Sequence, residues 1–383
     1  MARVSLSWAL ILGLLSGIGP LCTDFYLPAL PEITQQLQAT STQTQLSLTA
    51  ALIGLGLGQL FFGPLSDRIG RLKPLALSLL LFIFSSAMCA LTRDINMLIV
   101  WRFLQGFAGA GGSVLSRSIA RDKYQGTLLT QFFALLMTVN GIAPVLSPVL
   151  GGYVITAFDW RILFWTMAAI GGVLLVMSLA ILRETRPATA AHASRQRPGQ
   201  PVLKNRRFLR FCLIQAFMMA GLFSYIGSSS FVMQSEYGMS AMQFGLNGIG
   251  LIIAAMIFSR LARRFSAESL LRGGLTLAVS CAAIMLLFAW LHLPVLALVG
   301  LFFTVSLMSG ISTVAGAEAM SAVDAAQSGT ASALMGTLMF VFGGIAAPLA
   351  GLGGETMLKM SLAMAICYLL ALLLGLSKPR DAR

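Results

Sequence analysis

Charge is scarce in this sequence. Only 10% of its 383 residues are Asp, Glu, Lys or Arg, against about 25% in soluble domains. That shortage excludes a soluble enzyme, and a 57% share of AVILMFWYC residues excludes a disordered chain. Histidine is almost missing: His192 lies in a polar stretch and His292 in a short loop, both expected to be solvated, so no histidine relay runs through the apolar segments. The five cysteines are odd in number, form no C-x-x-C pair and all sit in or beside apolar segments, which makes them small apolar fillers rather than disulfides or metal ligands. No clustered His/Asp/Ser set and no metal-ligand spacing occurs within the apolar segments, which speaks against a membrane enzyme. No cofactor and no metal is expected. The loops are also too short for the soluble domain that a sensor or scaffold would carry.

What the chain has instead is apolar segments from end to end, with a mean hydropathy of +0.85. A membrane-spanning helix needs about 20 apolar residues. Twelve segments fit that length, at about 6–28, 44–64, 74–92, 96–118, 128–154, 161–182, 207–232, 241–261, 268–290, 294–317, 328–352 and 356–377. The first begins, like a signal peptide, with a basic residue and an apolar run. No small-x-small cleavage site follows cleanly, so it is read as an uncleaved first helix. One composition break, 183–206, is rich in Arg, Lys and Pro. The expected organisation is therefore an all-α membrane protein with an N-terminal six-helix half (1–182), a cytoplasmic linker (183–206) and a C-terminal six-helix half (207–383).

The net charge of +13 is an orientation signal rather than a nucleic-acid footprint. Threaded through twelve spans, 22 of the 26 lysines and arginines fall on the side of the amino terminus and three on the other, with Arg102 inside a span. The excess of basic residues on one side predicts that both termini are cytoplasmic. The halves share a short pattern: Ser147-Pro148-x-x-Gly151 in the fifth segment matches Ala347-Pro348-x-x-Gly351 in the eleventh. Two related six-span halves are a transporter architecture.

Four motifs carry chemistry. The loop after the second segment reads Gly63-Pro64-Leu65-Ser66-Asp67-Arg68-Ile69-Gly70-Arg71-Leu72-Lys73-Pro74. Its glycines permit a tight turn, Asp67 is expected at a helix N-terminus, and Arg68 and Arg71 can pair with acids or lipid phosphates. In the fourth segment, Arg102-x-x-Gln105-Gly106-x-x-Gly109 places a cation where a charge costs about 2.5–3.5 kcal/mol. Either Arg102 turns to an interior partner or it snorkels to the outer surface. Asp24, near the outer end of the first segment, lies at a similar depth, and the two are expected to be able to pair. A carboxylate subject to both burial and a nearby cation suits a group that gains and loses a proton. The fifth segment holds Asn140-Gly141-Ile142-Ala143-Pro144, then Ser147, Pro148, Gly151 and Gly152, residues that permit bending or close helix packing.

The 63–74 loop resembles the signature of the major facilitator superfamily, with Leu72 where a second basic residue is usual. The Arg102 pattern resembles that superfamily's fourth-span motif, linked there to proton transfer. The Asn140–Gly152 stretch resembles its antiporter motif, with Ser147 in place of a glycine. Together with Asp24-x-Tyr26-Leu27-Pro28-Ala29, Arg121-Asp122-x-Tyr124, Asp159-Trp160-Arg161, Glu184-Thr185-Arg186-Pro187 and Gly329-Thr330-Ala331-Ser332, they resemble the Bcr/CflA branch of drug-resistance transporters. The resemblance implies a multi-pass protein of the bacterial inner membrane that exports small amphiphilic compounds or drugs by alternating access, coupled to protons. The alternative is export of one endogenous metabolite, such as an amino acid, peptide or metallophore. Asp24 and Arg102 are the expected proton-coupling residues. Tyr26, Gln105, Asn140, Tyr225 and Phe231 are the candidate cavity residues, and Gly63, Asp67, Arg68, Gly70, Arg71, Pro144, Pro148 and Gly151 the conformational motifs. Expected partners are the small-molecule substrate, protons and membrane lipid, with no nucleic acid. A monomer suffices, because two halves contain one complete pathway. Arg210, Glu236 and Glu318 match no motif, and Glu318 is read as a solvated acid at a span end.

Overall fold

The computed structural model describes residues 6–124, 132, 146–185, 202–239, 267–323, 328–352, 354 and 356–377. Among these the chain is all-helical, and ten helical stretches are long and apolar enough to cross a membrane. The predicted segment at 241–261 lies outside the described residues, as does most of 128–154, including Asn140 and Pro144. The chain divides into two compact units, one made of residues 1–197 with 241–246, the other of 198–240 with 247–383.

The first unit contains α1 (Leu6–Ser16), α2 (Ile18–Asp24), a 3-10 turn (Leu27–Ala29), α3 (Leu30–Gln36), α4 (Ser41–Ile69), α5 (Leu72–Leu91), α6 (Ile95–Lys123), α7 (Leu146–Ile155) and α8 (Arg161–Ile181). The expected single helix at 6–28 is in fact broken. Pro20 has no N–H to give the Ser16 carbonyl, and the break falls at Gly17. Ser113 Oγ of α6 donates to that freed carbonyl at 3.4 Å. Pro28 and Pro31 then sit at the first positions of new short helices, where a missing N–H costs nothing.

Helix starts are written in the sequence. Thr40 and Gln43 form a capping box at α4, Gln43 N donating to Thr40 Oγ1 at 3.1 Å and Thr40 N to Gln43 Oε1 at 2.9 Å. Asp94 accepts from Met97 N at the start of α6.

The core of this unit is α6, which packs against α1, α2, α4 and α5. Glycine lets the backbones touch. A Cβ at Gly106 would collide with the Ala51 carbonyl of α4, and one at Gly54 with the Phe103 carbonyl of α6. Large apolar side chains on the outer faces are exposed, among them Leu77, Leu80 and Phe84 of α5 and Val173, Val176 and Leu179 of α8. In lipid such faces need no covering.

The second unit contains α9 (Arg206–Phe231), α10 (Ala267–Trp290), α11 (Pro294–Ser321), α12 (Ser328–Ala350) and α13 (Met357–Leu376). Its centre is α9, packed on α11, α12 and α13. Asn205 caps α9 through Phe208 N at 3.0 Å, and Thr356 caps α13 through Lys359 N at 3.3 Å. A one-turn π-helix, Val232–Glu236, ends α9.

Gly106→Ala should therefore destabilise the protein by about 1–3 kcal/mol, the usual cost of overpacking. Gly172→Ala, where a Cβ meets nothing within 4 Å, should be neutral or slightly stabilising. Thermal unfolding of the two variants in detergent checks the contrast.

Candidate functional site

Arg102 is wholly buried, so it does not snorkel. Its guanidinium Nη2 donates to the Cys22 carbonyl at 2.8 Å, and Nη1 to Gln105 Oε1 and, at 3.5 Å, to Cys22 Sγ. The Cys22 carbonyl belongs to the last turn of α2, where carbonyls lack helical partners and carry the negative end of the helix dipole. A guanidinium is well placed there. The Tyr26 ring lies under it, 4.1 Å from centroid to Cζ, and Phe164 is 5.7 Å away.

A column of buried groups holds this arrangement. Gln105 Nε2 donates to Ser86 Oγ at 2.8 Å. The Tyr26 hydroxyl and Ser47 Oγ are 3.3 Å apart. Trp160 stands edge-on to Phe164, which leans on Tyr26. Trp160 Nε1 donates to Gln36 Oε1 at 2.9 Å, and Arg161 Nη1 reaches the same oxygen at 3.0 Å. The Asp159-Trp160-Arg161 motif thus pins α3 to the start of α8.

The structure brings Arg102 to Cys22, two residues before Asp24, but does not pair the arginine with the acid. Among the described residues no ion pair includes either one. The arginine's donors are directed at the end of α2, and the Asp24 carboxylate lies elsewhere. Asp24 is 5% exposed, it is the last residue of α2, and its Oδ1 has no hydrogen-bond partner. An ionised carboxylate at the negative end of a helix, buried and half-partnered, is costly to maintain. Gly151 of α7 packs directly on the next carbonyl, that of Phe25, with no room for a Cβ. Pro148, one turn earlier in α7, is also buried.

Tyr26 and Gln105, expected to line a cavity, are fully enclosed and serve as supports for Arg102. Tyr225 and Phe231 are buried on α9, in a stretch that also buries Ser224, Ser228, Ser229 and Ser230. Asn140 and Pro144 lie outside the described residues.

The 63–74 loop forms a second centre. Arg71, 9% exposed at its side chain, donates from Nε to Asp122 Oδ2 at 2.7 Å and from Nη1 to Asp67 Oδ1 at 2.5 Å and Ser66 Oγ at 2.7 Å. Burial by itself would lower the Arg71 pKa, but the bonds to Asp122 and Asp67 outweigh it and hold the guanidinium above its ordinary value. Gly70 turns the chain at φ +96°. Gly63 lies within α4, three residues before Ser66, whose Oγ donates to its carbonyl at 2.7 Å.

Asp67 is not at a helix N-terminus as expected. It lies in the last turn of α4, with its side chain 65% exposed. Helix α4 runs five residues past the predicted end at 64, through Pro64, and so carries Asp67 with it. The helix-capping acid is Glu184, which accepts from Arg71 N at 2.9 and 3.0 Å and from Leu72 N at 3.2 Å, at the start of α5. Its role was hidden by a separation of 113 residues. Arg68 sits in the last turn of α4.

The three residues without a motif close helix ends in the second unit or join its helices. Glu236 Oε2 accepts from Met357 N at the start of α13, at 2.8 Å. Arg210 donates to the Leu374 and Gly375 carbonyls at the end of α13, at 2.9 and 2.6 Å. Glu318 pairs with Arg207 at 3.0 Å and is only partly exposed, so it is not simply a solvated acid.

Two compact bundles of membrane-spanning helices with buried polar centres define a multi-pass membrane protein. The chain belongs to the Major Facilitator Superfamily, whose model matches residues 12–348. It is 36% identical to an uncharacterised MFS-type transporter, YdgK, of Bacillus subtilis, over 98% of this chain and 96% of that one. It is 30% identical to a bicyclomycin resistance protein homologue of Haemophilus influenzae, over 95% and 94%. It is also 35% identical to the multidrug resistance protein MdtL of Escherichia coli, over 61% and 58%. These relatives agree with the Bcr/CflA drug-resistance branch and with the bacterial inner membrane. Among solved structures, the xylose transporter XylE of E. coli shares the fold at a TM-score of 0.76 and 12% identity, covering 98% of this chain and 99% of that one.

Removing Asp122 strips the buried Arg71 of its bidentate partner. Asp122→Asn should cost about 3 kcal/mol, whereas Asp67→Asn, at an exposed site, should cost less than about 1 kcal/mol. Melting curves of the two purified variants test the ranking.

Proposed function

We propose that the protein is a proton-coupled exporter of small amphiphilic compounds, working by alternating access, with Asp24 as the group that takes up and releases the proton. The observation that carries this reading is the buried Asp24 carboxylate oxygen, without a partner, at the end of the broken first span, two residues after the Cys22 carbonyl that Arg102 engages. A group that must change charge during a cycle cannot be locked into an ion pair, and this one is not. The names of the Haemophilus and Escherichia relatives, which refer to drug resistance, support an exported drug-like substrate. The Arg102 bond to Cys22 and the Gly151 contact on Phe25 connect the first, fourth and fifth spans within a few residues of Asp24, which supports their joint movement in the cycle. Asp67, Arg68, Gly63, Gly70 and Arg71 are assigned to conformational switching rather than to substrate contact.

Everted vesicles carrying the protein, acidified inside and loaded with a pH-sensitive dye, give the test. Adding transported compounds should cause compound-dependent loss of protons, abolished in Asp24→Asn at equal expression. Persistence of that loss in Asp24→Asn would remove Asp24 from the mechanism. A response to a single metabolite and to no drug would instead favour the narrow endogenous exporter. In the same assay Asp67→Asn should lower transport while its melting temperature stays near that of the wild type, and unchanged transport would sink its assigned role in switching.

A further inference from the structure

Most of the arginines with described partners are explained by a carboxylate or by the carbonyls of a helix end. Arg71 has Asp122 and Asp67, Arg161 has Asp159, Arg207 has Glu318, Arg272 has Glu268, and Arg210 and Arg102 each close the end of a helix. Arg117 differs. It lies inside α6, six residues before the helix ends at Lys123. Its Nε donates to the Ser113 carbonyl of its own helix at 3.1 Å. That carbonyl already belongs to the helix ladder, so it offers little compensation for a charge. No described carboxylate pairs with Arg117, and its two terminal nitrogens make no hydrogen bond to the described residues. Arg121, one turn on, adds a second positive charge.

Direction excludes the simplest explanation. A snorkelling arginine reaches toward the nearer end of its helix and the lipid headgroups. Arg117 does the reverse: its bond to Ser113 points the guanidinium back along α6, away from the near end. There it stands beside the α1–α2 break, where Ser113 Oγ meets the Ser16 carbonyl and the bare Gly19. Ser113, Val114, Arg117 and Ser118 form a partly exposed stripe on a helix whose neighbouring Leu115, Ser116, Ile119 and Ala120 are buried. The described residues leave that stripe partly uncovered.

A planar cation near the inner end of its span, its paired terminal donors unpartnered among the described residues and its surface partly uncovered, matches a carboxylate or a similar oxyanion bound by two parallel hydrogen bonds. We propose that Arg117 recognises an oxyanion on the transported compound, so that the exporter favours amphiphiles that carry an acidic group. The proposal rests on the export reading above and names its substrate class. It also makes Arg117 a specificity residue distinct from Asp24 and Arg102.

Matched pairs of aryl carboxylates and their carboxamides, beginning with radiolabelled 2-naphthoate and 2-naphthamide, separate charge from shape. Uptake is measured in everted vesicles with wild type, Arg117→Gln and Arg117→Lys, each first shown to melt near the wild-type temperature. The wild type should move acids faster than their amides. Arg117→Gln should slow the acids about tenfold, the scale of a lost charge-assisted hydrogen bond, and leave the amides unchanged. Arg117→Lys should fall between, since it keeps the charge but not the fork. Equal slowing of both members, or a preference of the wild type for amides throughout, overturns the proposal while export stands. Failure of the wild type to move any acid, amide or drug overturns the export reading and this inference with it. Proteoliposomes of phosphatidylcholine with and without phosphatidylglycerol form the last arm. An Arg117→Gln effect that exists only with phosphatidylglycerol makes a lipid headgroup the occupant and overturns the proposal.

Discussion

A full positive charge buried two turns into a membrane span is the constraint around which the first unit is organised. Among the described residues Arg102 has no carboxylate to neutralise it, so its donors need oxygen atoms that a continuous helix cannot supply. The first span supplies them by stopping. Pro20, Pro28 and Pro31 divide it into α2, a 3-10 turn and α3, and the Cys22 carbonyl at the end of α2 becomes available to the guanidinium. The aromatic column from Tyr26 through Phe164 to Trp160 then seals the site from lipid and water. A low-dielectric enclosure strengthens each of these polar contacts and raises the cost of losing any one.

The same physics recurs at the helix ends. Helix termini carry partial charges and unsatisfied groups, and here side chains from distant parts of the chain close several of them. Glu184 closes the start of α5, Glu236 the start of α13, and Arg210 the end of α13. Lys359 donates to the Leu352 and Gly354 carbonyls just beyond α12. These charged side chains are therefore structural, each set where the backbone has left a charge to meet. That pattern is what makes Arg117 conspicuous, since the backbone offers it nothing comparable.

Segment positions were legible from hydropathy because lipid demands long apolar helices, and the motifs were legible because their spacing is local. Arg102, Gln105 and Gly106 fall on one helix, and their joint burial follows from period 3.6. The close backbone contacts at Gly54 of α4 and Gly106 of α6 were not read from the sequence, because a glycine there does not show which helix it meets. Partnerships across the chain were not legible. Nothing local ties Glu184 to Leu72 N, or Glu236 to Met357 N, because each bond depends on how separate spans assemble. The break in the first span was visible in Pro20, yet a proline tolerated by neighbouring helices and one that ends a helix look alike in sequence. Asp67 was misplaced for a related reason: α4 continues through Pro64 as a helix, so the acid falls at its end and not at the next beginning.

The separation of Asp24 from Arg102 bears on mechanism more than their pairing would have. A carboxylate clasped by a guanidinium in a dry interior stays ionised, and releasing it costs several kcal/mol. Such a pair is a sound fastener and a poor shuttle. Here the two terminal nitrogens of the arginine are held by a carbonyl and an amide, groups whose charge does not change with protonation at Asp24. The acid ends the same short helix whose Cys22 carbonyl the arginine engages, without being held by it, and one of its oxygens is left open. Protonation at Asp24 then changes the charge balance at the end of α2, next to the Phe25 carbonyl on which Gly151 rests. A small local change at that point is transmitted to α7 by direct backbone contact, with no side chain between to absorb it. On the proposed reading, this is how one proton is coupled to the movement of a span.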